Sequence, residues 1–289
     1  MKLHTARLVA LAGLLLSTSA LAGDAAPAPT PAPAASAPAA DLPSAKSLME
    51  KYITAIGGRE KLQGVKSRQM TLNMDMPANG MKGTVQVYQA PPAMAYSETE
   101  IANIGKFLQG SDGETVWESN IMMGTRILSG KERDNFLRGL RFNADYDYED
   151  TYREMTTTGA DKVNDRAVYV VELVTKEGQK ETRLFDQETG LLLVSRATMP
   201  SQMGDIASET FFSDYREVDG IKMPFKQTVK VMQNEMVTTV EKAALNVEIP
   251  ASRFELPKEV KDLLEKQKAD ATKAPAPAPA TPAPAEQPK

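Results

Sequence analysis

The sequence predicts a mainly β protein with a few helices, its strands arranged as one antiparallel meander. Three observations carry this. From Ser67 onward apolar and polar residues alternate, Met70, Leu72, Met74 and Met76 against Gln69, Thr71, Asn73 and Asp75, which is the period of a strand buried on one face. Such runs recur at turn spacing, and nearly every connector holds Gly or Asp, as in Gly110-Ser111-Asp112-Gly113, Lys176-Glu177-Gly178 and Val218-Asp219-Gly220. Helical periodicity is confined to the start of the domain, one interruption in its middle and its C-terminal end.

The 289-residue chain opens on a segment unlike the rest. Residues 1–22 carry Lys2 and Arg7, then the apolar run 8–16, then Ala20-Leu21-Ala22, the order of a secretory signal peptide. That run is too short for a transmembrane helix, which needs about 20 consecutive apolar residues. Cleavage there starts the mature chain near Gly23 and places it in the periplasm. Because the chain has no Cys, it offers no residue for a lipoprotein's lipid anchor. Residues 23–43 and 274–289 alternate Pro with Ala, each holding six of the 19 prolines, and read as extended, disordered spacers with nothing to bury. Residues 44–257 between them read as one domain, and 258–289 as a short charged helix followed by the Pro/Ala tail.

Within the domain, Asp41 or Ser44 caps a helix whose apolar positions Leu48, Tyr52, Ile53 and Ile56 lie on one side, and Gly57-Gly58 stops it. A short helical turn follows at 59–62. After the methionine-alternating strand, Pro77-Ala78-Asn79-Gly80 makes a hairpin into 83–89, where Val85 and Val87 face one way and Thr84, Gln86 and Tyr88 the other. Further strands read at 94–101, 105–109, 115–118, 126–128, 155–158, 168–174, 182–185, 191–199, 207–215, 225–232 and 237–244. The meander is interrupted at Ser129-Gly130-Lys131-Glu132, a capping-box spacing that opens a helix with the stripe Phe136, Leu137, Leu140. Pro257 opens the last helix, apolar at Val260, Leu263 and Leu264.

Composition excludes much chemistry. The only His, His4, lies in the leader, so the mature chain has neither His nor Cys. Histidine-based triads, Cys nucleophiles, thiol redox chemistry and zinc sites with N or S ligands are thereby removed. Taking away the leader with Lys2 and Arg7 leaves 32 basic against 38 acidic residues, interspersed and without a basic run, which argues against nucleic acid as a partner. The acidic segment at 143–152, NADYDYEDTY, opens like a calcium loop, yet Asp150 stands where that loop needs Gly and Thr156 where it needs Glu. It reads instead as a solvated acidic loop whose tyrosines close one edge of the domain. Neither a G-x-S-x-G elbow nor a phosphate loop appears. The expectation is a protein that is not an enzyme and needs no cofactor or metal.

What stands out is methionine, 15 residues in all, gathered on strands and loops. Unbranched, polarizable side chains adapt to irregular partners such as acyl chains, although they also fill ordinary cores. Alternation and the helix stripe nominate Met70, Leu72, Met74, Met76, Val85, Val87, Trp117, Phe136 and Leu140 as inward-facing residues of an acyl-binding interior.

Three motifs, Ala55-Ile56-Gly57-Gly58-x-x-x-Leu62, Gln109-Gly110-x-Asp112-Gly113-x-x-x-Trp117-Glu118 and Phe212-Ser213-Asp214-Tyr215-Arg216-x-Val218-Asp219-Gly220-x-x-x-Pro224-Phe225, together with the methionine strand, carry a resemblance. The domain resembles the outer-membrane lipoprotein-sorting group of the LolA/LolB-like superfamily, from about Ser44 to Pro257. The resemblance implies a strongly curved antiparallel sheet, an unclosed half-barrel covered by helices on its concave face, that holds lipid acyl chains. No position matches the carrier's functional arginine, so no functional residue is carried over.

The expected function is a periplasmic lipid- or lipoprotein-binding carrier that shelters acyl chains in transit to the outer membrane. Its ligand is a lipid or acylated protein, and a membrane-bound protein acts as donor or acceptor. The alternative is a non-catalytic sensing or scaffold module that uses the same fold to hold a protein partner. A hydrolase with paired carboxylates is the third reading, though no sequence pattern singles out a pair.

Overall fold

In the computed structural model, residues 42–140, 146–201 and 204–273 are described. The expected leader 1–22, the Pro/Ala linker up to residue 41 and the tail 274–289 lie outside the described residues, as does part of the acidic segment.

One antiparallel sheet of 13 strands organises the molecule, in the order β6-β5-β4-β3-β2-β1-β13-β12-β11-β10-β9-β8-β7. The first half comprises β1 (Arg68–Met76), β2 (Met81–Ala90), β3 (Met94–Ile101), β4 (Gly105–Asp112), β5 (Val116–Asn120) and β6 (Gly124–Ile127). The second comprises β7 (Tyr152–Val163), β8 (Arg166–Thr175), β9 (Lys180–Asp186), β10 (Leu192–Ser201), β11 (Gly204–Val218), β12 (Ile221–Val231) and β13 (Asn234–Leu245). Two meanders are thus joined by the pairing of the chain's first and last strands, Leu72 opposite Val240 and Met74 opposite Thr238. Segment 128–151, with α3 (Gly130–Gly139) and α4 (Tyr148–Thr151), carries the chain from one edge strand to the other.

The sheet is open and not strongly curled, which corrects the strongly curved half-barrel implied by the resemblance. Closure would require the edge strands β6 and β7 to pair, and they stand at opposite ends of the order. Strands bend where an extra residue breaks the ladder, and among the described residues the register shifts only at Thr71/Leu72, Leu192/Val194, Tyr152/Glu154 and Thr157/Gly159.

Helices lie on both faces, a second correction to the expected cover. We call inner the face of Met70, Leu72, Met74 and Met76. On it, α1 (Ala45–Ala55) buries Leu48, Met49, Tyr52 and Ile53 in one core with Val171, Leu173 and Phe185, and Tyr148 and Tyr152 join them. Those two tyrosines are buried, so this part of the acidic segment is core rather than solvated loop. The stripe of α3, Phe136 and Leu140, packs on Ala95, Val116 and Leu128, again inner. On the outer face, Arg253 lies over the rings of Tyr88 (4.6 Å) and Tyr96 (5.4 Å), and α5 (Lys258–Lys273) follows, anchored by fully buried Val260.

Candidate functional site

The methionine alternation of β1 becomes a contiguous apolar surface because neighbouring strands repeat it in register. Met70 stands opposite Val87, Leu72 opposite Val85, and Met76 opposite Met81. Opposed residues of an antiparallel pair share a face. Eleven buried residues form the cluster: Met70, Leu72, Met74, Met76, Val85, Val87, Ile101, Phe107, Phe225, Met236 and Val240. Six of the nine nominated residues are therefore together. Sequence reasoning missed Ile101, Phe107, Phe225, Met236 and Val240, although all of them but Met236 lie on strands it reads.

The other three nominated residues lie elsewhere. Phe136 and Leu140 sit in a separate inner-face cluster beneath α3. Trp117 is a correction, because the register turns it to the outer face: it stands opposite Gly110, while its neighbour Glu118 stands opposite inner-face Gln109. Its indole lies so close over Gly110 that a Cβ there would meet it at 2.7 Å. Tyr96 flanks it with ring centroids 6.4 Å apart. Trp117 misled because the outer face is also buried here, beneath the C-terminal segment, and burial on both faces erases alternation.

The inner face is not wholly apolar. Beside the methionine cluster, Gln109 donates to Glu118 (3.5 Å), Arg126 to Glu118 (2.7 Å) and Arg126 to Glu132 (2.8 Å). Burial opposes the Arg126 charge, yet its hydrogen bonds to Glu132 and Glu118 outweigh that and hold its pKa above the usual range. This bridge ties α3 to β5 and β6, so the helix is held by charge as well as by Phe136 and Leu140. Gly83 matters for another reason: a Cβ there would meet the Glu100 carbonyl oxygen at 2.5 Å, so only glycine lets β2 and β3 approach opposite Met74.

A groove of about 690 Å³ at Asn73, Asp75, Lys82, Thr84, Glu100 and Lys226 opens on the polar outer face instead. Among the described residues, no group of three or more His, Cys, Asp or Glu could hold a metal ion, and no helix is long and apolar enough to cross a membrane. What the methionine face offers chemically is dispersion and the hydrophobic effect, with adaptable side chains.

No family model matches the sequence, and no curated protein matches it. Solved structures do. A LolA superfamily protein from Nitrosomonas europaea shares 15% identity at TM-score 0.51, covering 74% of this chain and 99% of its own. The fold matches that of the LolA superfamily. A DUF1329 family protein from Desulfovibrio piger is similar at 16% identity and TM-score 0.51, over 73% and 97% of the two chains. The motifs behind the sequence resemblance prove to be fold contacts. Gly57 meets Gly220, where a Cβ would stand 2.6 Å from the carbonyl oxygen, and Lys222 N–H donates to the Ile56 carbonyl at 2.9 Å. Two of the three motifs thus dock α1 onto the β11–β12 turn, and the third seats Trp117 on Gly110.

Proposed function

We propose that this protein is a non-catalytic carrier whose methionine face takes up the acyl chains of a lipid or lipoprotein. The observation that carries the reading is the eleven-residue inner cluster with four methionines at its centre. The likeness of the fold to a LolA superfamily protein supports it. Methionine has three rotatable bonds and no branching, so such a surface repacks around chains of varied length at small cost. Each CH₂ moved from water contributes about 0.8 kcal/mol, and a sixteen-carbon chain on the order of 10 kcal/mol before ordering costs. Release needs no nucleotide if a receiving protein or membrane binds the chain more tightly. The signal-peptide pattern of residues 1–22 supports a periplasmic setting for this traffic, with the Pro/Ala segments as spacers on either side of the domain.

Native mass spectrometry of the purified protein, followed by solvent extraction and lipid analysis, tests the reading. The expected result is a stoichiometric acylated ligand, lost in Leu72→Glu and Met74→Glu variants that keep the far-ultraviolet dichroism of the parent. An apo mass that stays unchanged after incubation with phospholipid and acylated peptide would overturn it in favour of a module that holds a protein partner.

A further inference from the structure

Among the described residues, four large apolar side chains are exposed: Ile121 (76%), Met122 (53%), Met123 (61%) and Met232 (71%). Three are consecutive and Met232 lies more than a hundred residues beyond them, but the topology brings all four together. The β1–β2 connection follows the pair Met76–Met81, the β3–β4 connection follows Ile101–Gly105, and the β5–β6 connection follows Asn120–Gly124. Asp75 opposite Val237 brings the β12–β13 connection, Met232-Gln233, to the same end of the sheet. All four exposed side chains therefore stand on hairpin tips of one rim. The two tips that bear them are six strand spacings apart, roughly 30 Å along that rim.

Folding does not account for this placement. Met232 has φ 55°, a left-handed position that Gly or Asn would occupy at lower cost. The tip of β5–β6 is held in shape, since Asn120 Oδ1 accepts from the N–H groups of Met122 (3.0 Å) and Met123 (2.7 Å). Ile121 leans on Gly105, whose Cβ, if added, would meet it at 3.6 Å, and neighbouring Ile104 packs against the methionine cluster. An apolar path thus runs from the rim to the inner face.

Charge narrows the partner. The ions near these tips are paired: Lys82 with Asp75 (3.1 Å), Lys106 with Glu100 (3.9 Å) and Lys230 with Glu235 (3.7 Å). A neutral rim with apolar points scattered over roughly 30 Å lacks the contiguous, pocket-filling patch that a protein hot spot needs. It fits a fluid apolar layer, into which separate side chains insert independently.

We infer that this rim is a membrane-docking surface, inserting Ile121, Met122, Met123 and Met232 into the interface of an uncharged lipid bilayer. The carrier reading gives the surface a purpose, but the docking does not require cargo. The test is flotation of the purified protein with phosphatidylcholine vesicles. The parent floats with the vesicles, and a roughly tenfold rise in salt leaves the bound fraction unchanged. The triple variant Ile121→Ser, Met122→Ser, Met123→Ser lowers partitioning at least about tenfold. Met232→Asn lowers it several-fold while the melting temperature holds or rises, so binding and stability move in opposite directions. Failure of the parent to float, equal flotation of the triple variant, or a parent dimer that the triple variant dissolves would each overturn the inference. Acylated-peptide capture, measured on the same samples, separates the two readings: capture without flotation removes the rim and keeps the carrier, and flotation without capture does the reverse.

Discussion

Two regions of the same inner face are built differently. Beneath α1 the core is locked: Tyr52 and Phe185 meet at 5.6 Å, and the Tyr148 hydroxyl donates to Glu50 at 2.8 Å. Glu50 is held in turn by Arg59 at 2.7 Å, from α2 (Arg59–Gln63). Aromatic shape and directed hydrogen bonds specify one arrangement. Across β1, β2, β12 and β13 the cluster is instead rich in methionine, unbranched and without polar anchors among its eleven residues. Both regions exclude water; only the second is built of side chains that repack at small cost, as the proposed uptake of acyl chains requires. One sheet therefore serves as scaffold at one end and as adaptable surface in the middle.

Substitutions sharpen this contrast. Phe185→Ala, at a side chain 1% exposed in the locked core, is expected to destabilise by about 3–5 kcal/mol in urea unfolding. A loss below about 1 kcal/mol would show that this core is as adaptable as the methionine face. Gly57→Ala, which places a Cβ against the Gly220 carbonyl at φ 130°, is expected to cost about 1–3 kcal/mol and to loosen α1 selectively in amide exchange. By contrast Met74→Leu, volume-conserving in the adaptable region, is expected to cost less than about 1.5 kcal/mol while altering the chain-length preference of capture.

A pH experiment addresses the locked region. Burial, then the hydrogen bond to Glu50, pushes the Tyr148 hydroxyl up to about 12. Its folded-state pKa exceeds the unfolded value near 10, so the protonated group stabilises the fold at lower pH. That contribution is lost as pH rises from about 10 towards 12. Tyr148→Phe is expected to lower stability by about 1 kcal/mol at neutral pH and to flatten this part of the alkaline profile. Tyr96, also raised to about 12, titrates in the same window and is left intact by the variant. The smallest effect concerns Trp117: its emission should stay constant when an acyl ligand binds, because it faces away from the methionine surface. A ligand-induced shift would place cargo on the outer face.

Much of the fold was legible because strands and turns are local. Residues 94–101 form a strand with the expected bounds, and the interruption at Ser129 opens α3 as its capping spacing predicts. Half the candidate site was legible for the same reason, since Met70 to Met76 and Val85 with Val87 lie on one hairpin. Phe225, Met236 and Val240 lie more than 130 residues further along the chain, and nothing local tells which strands they will join. Trp117 was misplaced because Val116 and Trp117 are both buried, leaving no alternation to read.

By itself, then, the sequence determined the elements and their polarity: a period of two with Gly and Asp connectors leaves few alternatives to an antiparallel meander, and a chain with no Cys and His4 as its one His has no thiol chemistry to offer. Tertiary structure decided the rest. It chose which strands meet at the centre, which face the indole takes, how open the sheet remains and which hairpin tips share a rim. The reason is that side chains alternate with period two, so a single step of register exchanges one face for the other. Register between strands far apart in the chain is settled only when the whole sheet pairs.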